Sequence, residues 1–81
     1  MSQRELILPD LGIENQPITA SAWLVKRGSR VGEGEPLLEV LCGPATVDLP
    51  SPAGGKLMDK LVATDEILHV GQRLAVIEEE W

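Results

Sequence analysis

Residues 36–52 have the sequence PLLEVLCGPATVDLPSP, in which two apolar segments flank the pair Gly43-Pro44. Leu, Val and Thr dominate both segments, and a Gly-Pro pair between such segments is a turn signal. The pattern therefore predicts a β-hairpin whose tip is Cys42-Gly43-Pro44-Ala45. We expect the tip to be exposed, because a buried turn would leave backbone polar groups without partners.

Short apolar segments separated by Gly, Pro and Asp recur along the whole chain and predict an all-β fold. The expected strands are residues 4–8, 18–25, 30–35, 36–41, 45–49, 57–62 and 73–78, with a turn near 65–66. No segment has a sustained period of 3.6 residues, so no helix is predicted. Many short strands at even spacing favour a sandwich or barrel.

A weak internal repeat relates two parts of the chain. Residues at a spacing of 37 match in type, as in the pairs Val25/Val62, Gly34/Gly71, Leu37/Leu74, Leu24/Leu61 and Val31/Leu68. Two similar β-units predict two sheets related by a pseudo-twofold axis, each burying its apolar face on the other. The residues expected in the core are Trp23, Leu24, Val31, Leu37, Val47, Leu61, Leu68, Leu74 and Val76. Alternation along the strands is expected to turn Glu39 and Asp48 outwards.

The segment ATVDLPSP at residues 45–52 resembles the biotinyl/lipoyl attachment domains of 2-oxoacid dehydrogenase complexes, whose tip Asp-Lys-Ala is followed by Thr-Val-Glu-Val-Pro-Ser-Pro. Residues 8–12, 23–28 and 70–77 and Gly55 also match the family's pattern, whereas Ser29 replaces its usual Asp and Asp65 its usual Gly. The resemblance covers about residues 5–78. It implies a barrel-sandwich hybrid, a flattened barrel of two antiparallel sheets.

The departure from the family falls on the tip. Gly43 stands where the family has its acid, and Pro44 stands where it has the lysine that carries lipoate. The resemblance therefore implies that this chain carries no cofactor on Cys42, Gly43, Pro44 or Ala45. Proline is disfavoured at the second central position of a type I turn. Two solutions remain open from the sequence, a cis Gly43–Pro44 bond or a shifted turn with Pro44 at the first central position.

Length and charge limit the classes of function. The 81 residues allow one domain, expected to span residues 1–81, and the net charge of −6 argues against nucleic acid and anionic membranes as partners. A single cysteine excludes an internal disulfide and favours a reducing compartment. With no apolar segment of membrane-spanning length and no signal-peptide pattern, a cytoplasmic location is predicted.

Other candidate residues have structural explanations. Cys42 has no neighbouring cation in the sequence that would activate its thiol as a nucleophile, and His69 has no partners at metal-ligand spacing, so no catalytic or metal site is predicted. His69 is expected on a surface strand, Trp23 as a core anchor, and residues 78–81 as a solvated tail. The lysines, at 26, 56 and 60, lie outside the predicted tip, and the cluster Lys26, Arg27 and Arg30 is expected to be a solvated turn.

Three hypotheses for function follow from the resemblance. The first is a lipoyl-binding-type domain that lacks the attachment lysine and acts as a non-catalytic protein-interaction module, with partners among components of a 2-oxoacid dehydrogenase complex. The second is an acyl-carrier subunit modified at another residue. The third is a regulator that competes for a docking site meant for lipoylated domains. An independent enzyme is least favoured, because the sequence contains no catalytic group set.

Overall fold

Two antiparallel sheets make up the molecule. The computed structural model describes residues 2–13 and 15–79, and within these ranges it contains no helix. The strands are β1 (Gln3–Ile7), β2 (Ile18–Trp23), β3 (Arg30–Val31), β4 (Pro36–Cys42), β5 (Ala45–Pro50), β6 (Gly55–Lys60), β7 (Ile67–Leu68) and β8 (Arg73–Glu79). The terminal sheet has the order β1-β8-β6-β3, and the tip sheet has the order β5-β4-β2-β7. The predicted all-β barrel-sandwich is confirmed.

The backbone hydrogen bonds follow the 37-residue repeat. The bond from the Leu24 N–H to the Leu37 carbonyl (2.8 Å) recurs from Leu61 to Leu74 (2.9 Å). Strands β2, β3 and β4 have the same bounds as β6, β7 and β8 after a shift of 37 residues. The register irregularity of β2 also recurs at the corresponding place in β6. The two sheets are therefore built on one backbone plan.

The predicted strand at residues 30–35 is too long, and strand β7, which follows the predicted turn near 65–66, was not predicted. Strand β3 ends at Val31 because the chain turns immediately after it: Gly34 has φ 85°, and the Glu35 N–H donates to the Gly32 carbonyl (3.0 Å). Strand β7 contains only Ile67 and Leu68, which is too short for alternation to appear in the sequence. Its place in the sheet comes from pairing with β2.

The core lies between the sheets and is almost entirely aliphatic. Its buried members are Leu6, Leu8, Ile18, Ala20, Val31, Leu37, Leu38, Val40, Cys42, Leu49, Leu57, Val62, Leu68, Leu74, Ala75 and Ile77. Trp23 and Val47 are half-buried against this cluster rather than within it, and Val76 is half-buried. The prediction that Leu24 and Leu61 are buried is wrong, since each is 44% exposed. Both directly follow the end of a strand, where their backbone N–H groups stay bonded while their side chains face solvent.

Trp23 and Lys60 occupy corresponding positions in the two sheets and contact each other. The Lys60 ammonium lies 5.2 Å from the centre of the indole ring. The indole Nε1–H donates to the Val62 carbonyl (3.1 Å). The predicted core anchor is therefore a partly buried side chain that joins the two repeats.

The hairpin tip and the described ends of the chain lie at opposite ends of the barrel. Beside the tip, Ile18 of β2 pairs with both Cys42 and Leu68. A short turn joins Leu68 to the start of β8, which runs away from the tip to Glu79, and the Glu79 N–H donates to the Ser2 carbonyl (2.7 Å). Glu78 and Glu79 thus belong to β8, not to the predicted tail; residues 80–81 lie outside the described residues.

Candidate functional site

The tip of the β4–β5 hairpin is the candidate functional site. Leu41 pairs with Thr46 and Cys42 pairs with Ala45, so only Gly43 and Pro44 remain in the loop. The alternating apolar residues of both strands fix this register, because a slip by one residue would turn the buried side chains outwards. Pro44 and Ala45 are exposed, as predicted for a tip.

The turn adopts neither of the two conformations expected from the sequence. The described residues contain no cis peptide bond, and Pro44 occupies the second central position rather than the first. Gly43 has φ 59°, and the proline ring holds its own φ near about −65°. A two-residue hairpin loop with positive φ at its first residue only is a type II′ turn, which favours glycine there. A proline disfavours the right-handed helical region for the residue before it, and Gly43 avoids that region because its φ is positive.

Gln16 packs against one side of the tip. A Cβ atom placed on Gly43 would lie 2.8 Å from Oε1 and 3.1 Å from Cδ of Gln16. Gln16 is brought there because Ile18, two residues further on, pairs with Cys42. Neither the II′ turn nor this contact was predicted, although glycine before proline in a two-residue loop is a signal for the turn.

The side chains at the tip offer no nucleophile. The Cys42 thiol belongs to the core and is 1% exposed. The exposed groups of the loop are the proline ring and the Ala45 methyl group. The tip can therefore present a rigid apolar corner to a partner, but it offers no amine, hydroxyl or thiol for acylation.

The lysines lie away from the tip. Lys56 and Lys60 are on β6 of the terminal sheet, and the Lys26 carbonyl accepts a bond from Ser29 in the turn before β3 (3.1 Å). In that turn, the Arg27 Nε–H donates to the Met58 carbonyl (2.7 Å) and Nη2 lies 3.4 Å from Asp59 Oδ1. The turn is exposed as predicted, but Arg27 is hydrogen-bonded and ion-paired to residues of β6.

His69 is exposed, but the prediction that it lies in a strand is wrong. It follows β7 in a turn, where its N–H donates to the Gln72 Oε1 (2.9 Å) and its carbonyl accepts from the Gln72 N–H (2.9 Å). Residues 2–13 and 15–79 include no group of three His, Cys, Asp or Glu side chains that could hold a metal ion. The same residues contain no helix that is long and apolar enough to cross a membrane.

Comparison with known proteins covers nearly the whole chain. Residues 4–77 match the family model described as "Biotin-requiring enzyme". The chain is 32% identical over 74 residues to the dihydrolipoyllysine-residue succinyltransferase component of the 2-oxoglutarate dehydrogenase complex of Bartonella vinsonii subsp. berkhoffii, covering 91% of this chain and 18% of the relative.

Two further relatives are components of other complexes. The chain is 31% identical to the lipoamide acyltransferase component of the branched-chain alpha-keto acid dehydrogenase complex of Pseudomonas putida, covering 99% of this chain and 19% of the relative. It is 37% identical to the dihydrolipoyllysine-residue acetyltransferase component of the pyruvate dehydrogenase complex of Mycobacterium bovis, covering 91% and 13%. The chain thus spans less than a fifth of the length of these relatives.

Proposed function

The chain belongs to the biotin/lipoyl attachment family, and we propose that it is a lipoyl-type domain that carries no lipoyl group and acts through protein contacts. The observation that supports this most directly is the tip, where the exposed loop consists of Gly43 and Pro44 alone. Attachment of lipoate forms an amide on a lysine amine. The nitrogen of Pro44 already belongs to a peptide bond and cannot be acylated.

The surroundings of the tip do not fit a lipoyl group either. The thiol nearest in sequence, Cys42, is buried in the core, and the carboxamide of Gln16 lies against Gly43. The three lysines lie in the turn before β3 or on β6 of the terminal sheet, and none is in a hairpin loop. We therefore derive no acyl-transfer step through this tip.

We also propose that the chain has no catalytic activity of its own. Its cysteine is buried, and its tip presents apolar and backbone groups rather than an acid, a base or a nucleophile. The relatives described above are components of 2-oxoacid dehydrogenase complexes. We propose components of such a complex as the partners of this chain, in a reducing, cytoplasmic compartment that suits an unpaired cysteine.

The intact mass of the chain purified from its native host tests this proposal. We expect the mass of the unmodified polypeptide. A lipoylated relative purified from the same cells serves as the control, because it shows that the host's ligase was active. A lipoyl or biotinyl addition would contradict the proposal, and fragmentation would show whether Lys26, Lys56 or Lys60 carries it, as expected for a working carrier modified elsewhere.

A further inference from the structure

The outer face of the tip sheet differs in chemistry from the outer face of the terminal sheet. The strands of the terminal sheet contain five of the chain's seven Lys and Arg residues, namely Arg4, Arg30, Lys56, Lys60 and Arg73. The strands of the tip sheet contain none. Because the two sheets share one backbone plan, corresponding positions can be compared directly.

One row of the tip sheet, running across all four strands, is uncharged and partly apolar. Thr19 pairs with both Ile67 and Leu41, and Leu41 pairs with Thr46. Ile67 is 60% exposed and Leu41 is 41% exposed. They lie two strands apart, at a separation of about 10 Å. The corresponding row of the terminal sheet consists of Arg30, Lys56, Glu78 and Gln3.

The adjacent row of the tip sheet is acidic. Glu39 pairs directly with Asp48, and like charges opposite each other destabilise a sheet. The ion pairs seen among residues 2–13 and 15–79 include neither of these carboxylates. Ser21 donates a hydrogen bond to Glu39 Oε1 (3.1 Å), which orients that carboxylate. The acidic pair lies about 7 Å along the strands from the apolar row.

We infer that this face of the tip sheet, named here the docking face (Thr19, Glu39, Leu41, Asp48 and Ile67), binds a positively charged protein segment that also carries an apolar side chain. Lysine or arginine from the partner would relieve the repulsion between Glu39 and Asp48, and an apolar side chain would cover Leu41 and Ile67. In this row, Thr19 lies between Leu41 and Ile67. The acidic pair disfavours nucleic acid and anionic lipid as partners, because both are negatively charged.

The docking face adjoins the tip, since Leu41 directly precedes Cys42 on β4. A partner seated there would contact the tip at the same time. This inference deepens the proposed function and rests on it for the premise that the chain acts by binding other proteins. The docking face itself is defined by the structure, independently of whether any lysine is modified.

Titration of the ¹⁵N-labelled chain with short peptides tests the inference. The probe is the amidated peptide Arg-Leu-Arg-Leu-Arg, with Glu-Leu-Glu-Leu-Glu and Arg-Ser-Arg-Ser-Arg as matched controls for charge and apolar contact. We expect saturable amide shifts centred on the docking face with the probe. We expect no saturable shifts with the acidic peptide, and affinity lowered at least about fivefold with the serine peptide.

Two paired variants separate this face from general attraction to an acidic protein. Glu39→Gln with Asp48→Asn should lower the affinity for the probe peptide about tenfold. Glu5→Gln with Glu78→Gln on the terminal sheet should change its affinity less than twofold. Both variants move the net charge from −6 to −4, because each loses two carboxylates.

Equal weakening by both variants, or shifts spread over both sheets, would overturn the inference. Ile67→Thr with Leu41→Thr, which keeps the charge, should weaken the probe about fivefold, and unchanged affinity would also overturn it. A chain found to be lipoylated that still binds the probe on this face would refute the proposed function and leave the docking face standing.

Discussion

The row of the tip sheet that contains Leu41 carries no charge, whereas the corresponding row of the terminal sheet contains Arg30, Lys56 and Glu78. Inward positions behave differently. Leu37 and Leu74 occupy the same place in the two repeats, and both are fully buried. The comparison shows that the repeat conserves what the core requires and leaves the outer faces free to differ. The fold is therefore specified by the inner faces, and the proposed role in binding uses the outer face and the tip of one sheet.

The largest loss of stability is expected from truncating the buried side chains that occupy corresponding positions in the two repeats. Leu37→Ala and Leu74→Ala should each lower the free energy of unfolding by about 3 kcal/mol, because both open cavities in a closed core. Leu61→Ala is the control: its side chain is 44% exposed, and about 1 kcal/mol or less is expected. Urea unfolding measures all three, and a loss at Leu61 as large as that at Leu74 would show that the burial described here is wrong.

A smaller loss of stability is expected at a position where the two sheets require different residues. Gly55 corresponds to Ile18, yet a Cβ on Gly55 would overlap the Glu78 carbonyl and contact Glu79. Gly55→Ala should therefore force β6 away from β8 and cost about 2 kcal/mol. Gly32→Ala is the matched control, because no atom lies within 4 Å of a Cβ placed there. Thermal unfolding that leaves Gly55→Ala as stable as Gly32→Ala would contradict the close packing of these strands.

The turn at the tip has no equivalent in the terminal sheet, where β1 and β8 are not joined by a short loop. Gly43→Ala should cost about 1 kcal/mol, because alanine is strained at φ 59° and its Cβ meets Gln16. In a chain that already carries Gln16→Ala, Gly43→Ala retains the backbone strain but loses the contact with Gln16. There it should lower the free energy of unfolding by less than in the unaltered chain. If Gly43→Ala is neutral in urea unfolding, the turn is not type II′.

The smallest effect concerns the contact between the corresponding residues Trp23 and Lys60. Lys60→Gln should lower stability by about 0.5 kcal/mol, the scale of a partly exposed cation–π contact. A double-mutant cycle that combines Lys60→Gln with Trp23→Leu isolates the coupling between the two side chains. A coupling energy of zero would show that the contact between Lys60 and the Trp23 ring contributes nothing to stability.

The hairpin and the two sheets could be predicted because strand alternation, turn residues and the 37-residue repeat are all visible in the sequence. Of the residues predicted for the core, only Val31, Leu37, Leu68 and Leu74 are buried. The exposure of Leu24 and Leu61 could not be predicted, since repeated leucines indicate equivalence but not the face on which they lie. The II′ turn depends on a positive φ at Gly43, and a glycine in the sequence permits a positive φ but does not require it. Ile67 was placed on the docking face by pairing between β2 and β7, residues distant in sequence.

The docking face could have been found from the sequence by comparing outward positions of the repeat rather than matching ones. Leu41 and Glu78, which are 37 positions apart, differ in chemistry, and so do Thr19 and Lys56. Matching residues at this spacing include the buried pair Leu37 and Leu74, but they carry no information about these outward differences. Divergence at corresponding outward positions is the more informative signal for function in a chain of this kind.

Lipoylation of the tip in vitro tests the central claim most directly. The unaltered chain, Pro44→Lys, and Gly43→Asp with Pro44→Lys are each incubated with a lipoate ligase, ATP and lipoate, and their intact masses are compared. The double variant supplies the amine and also removes the proline that disfavours a type I turn. We predict that the double variant gains one lipoyl group and that the unaltered chain gains none. A lipoyl addition to the unaltered chain would contradict the account.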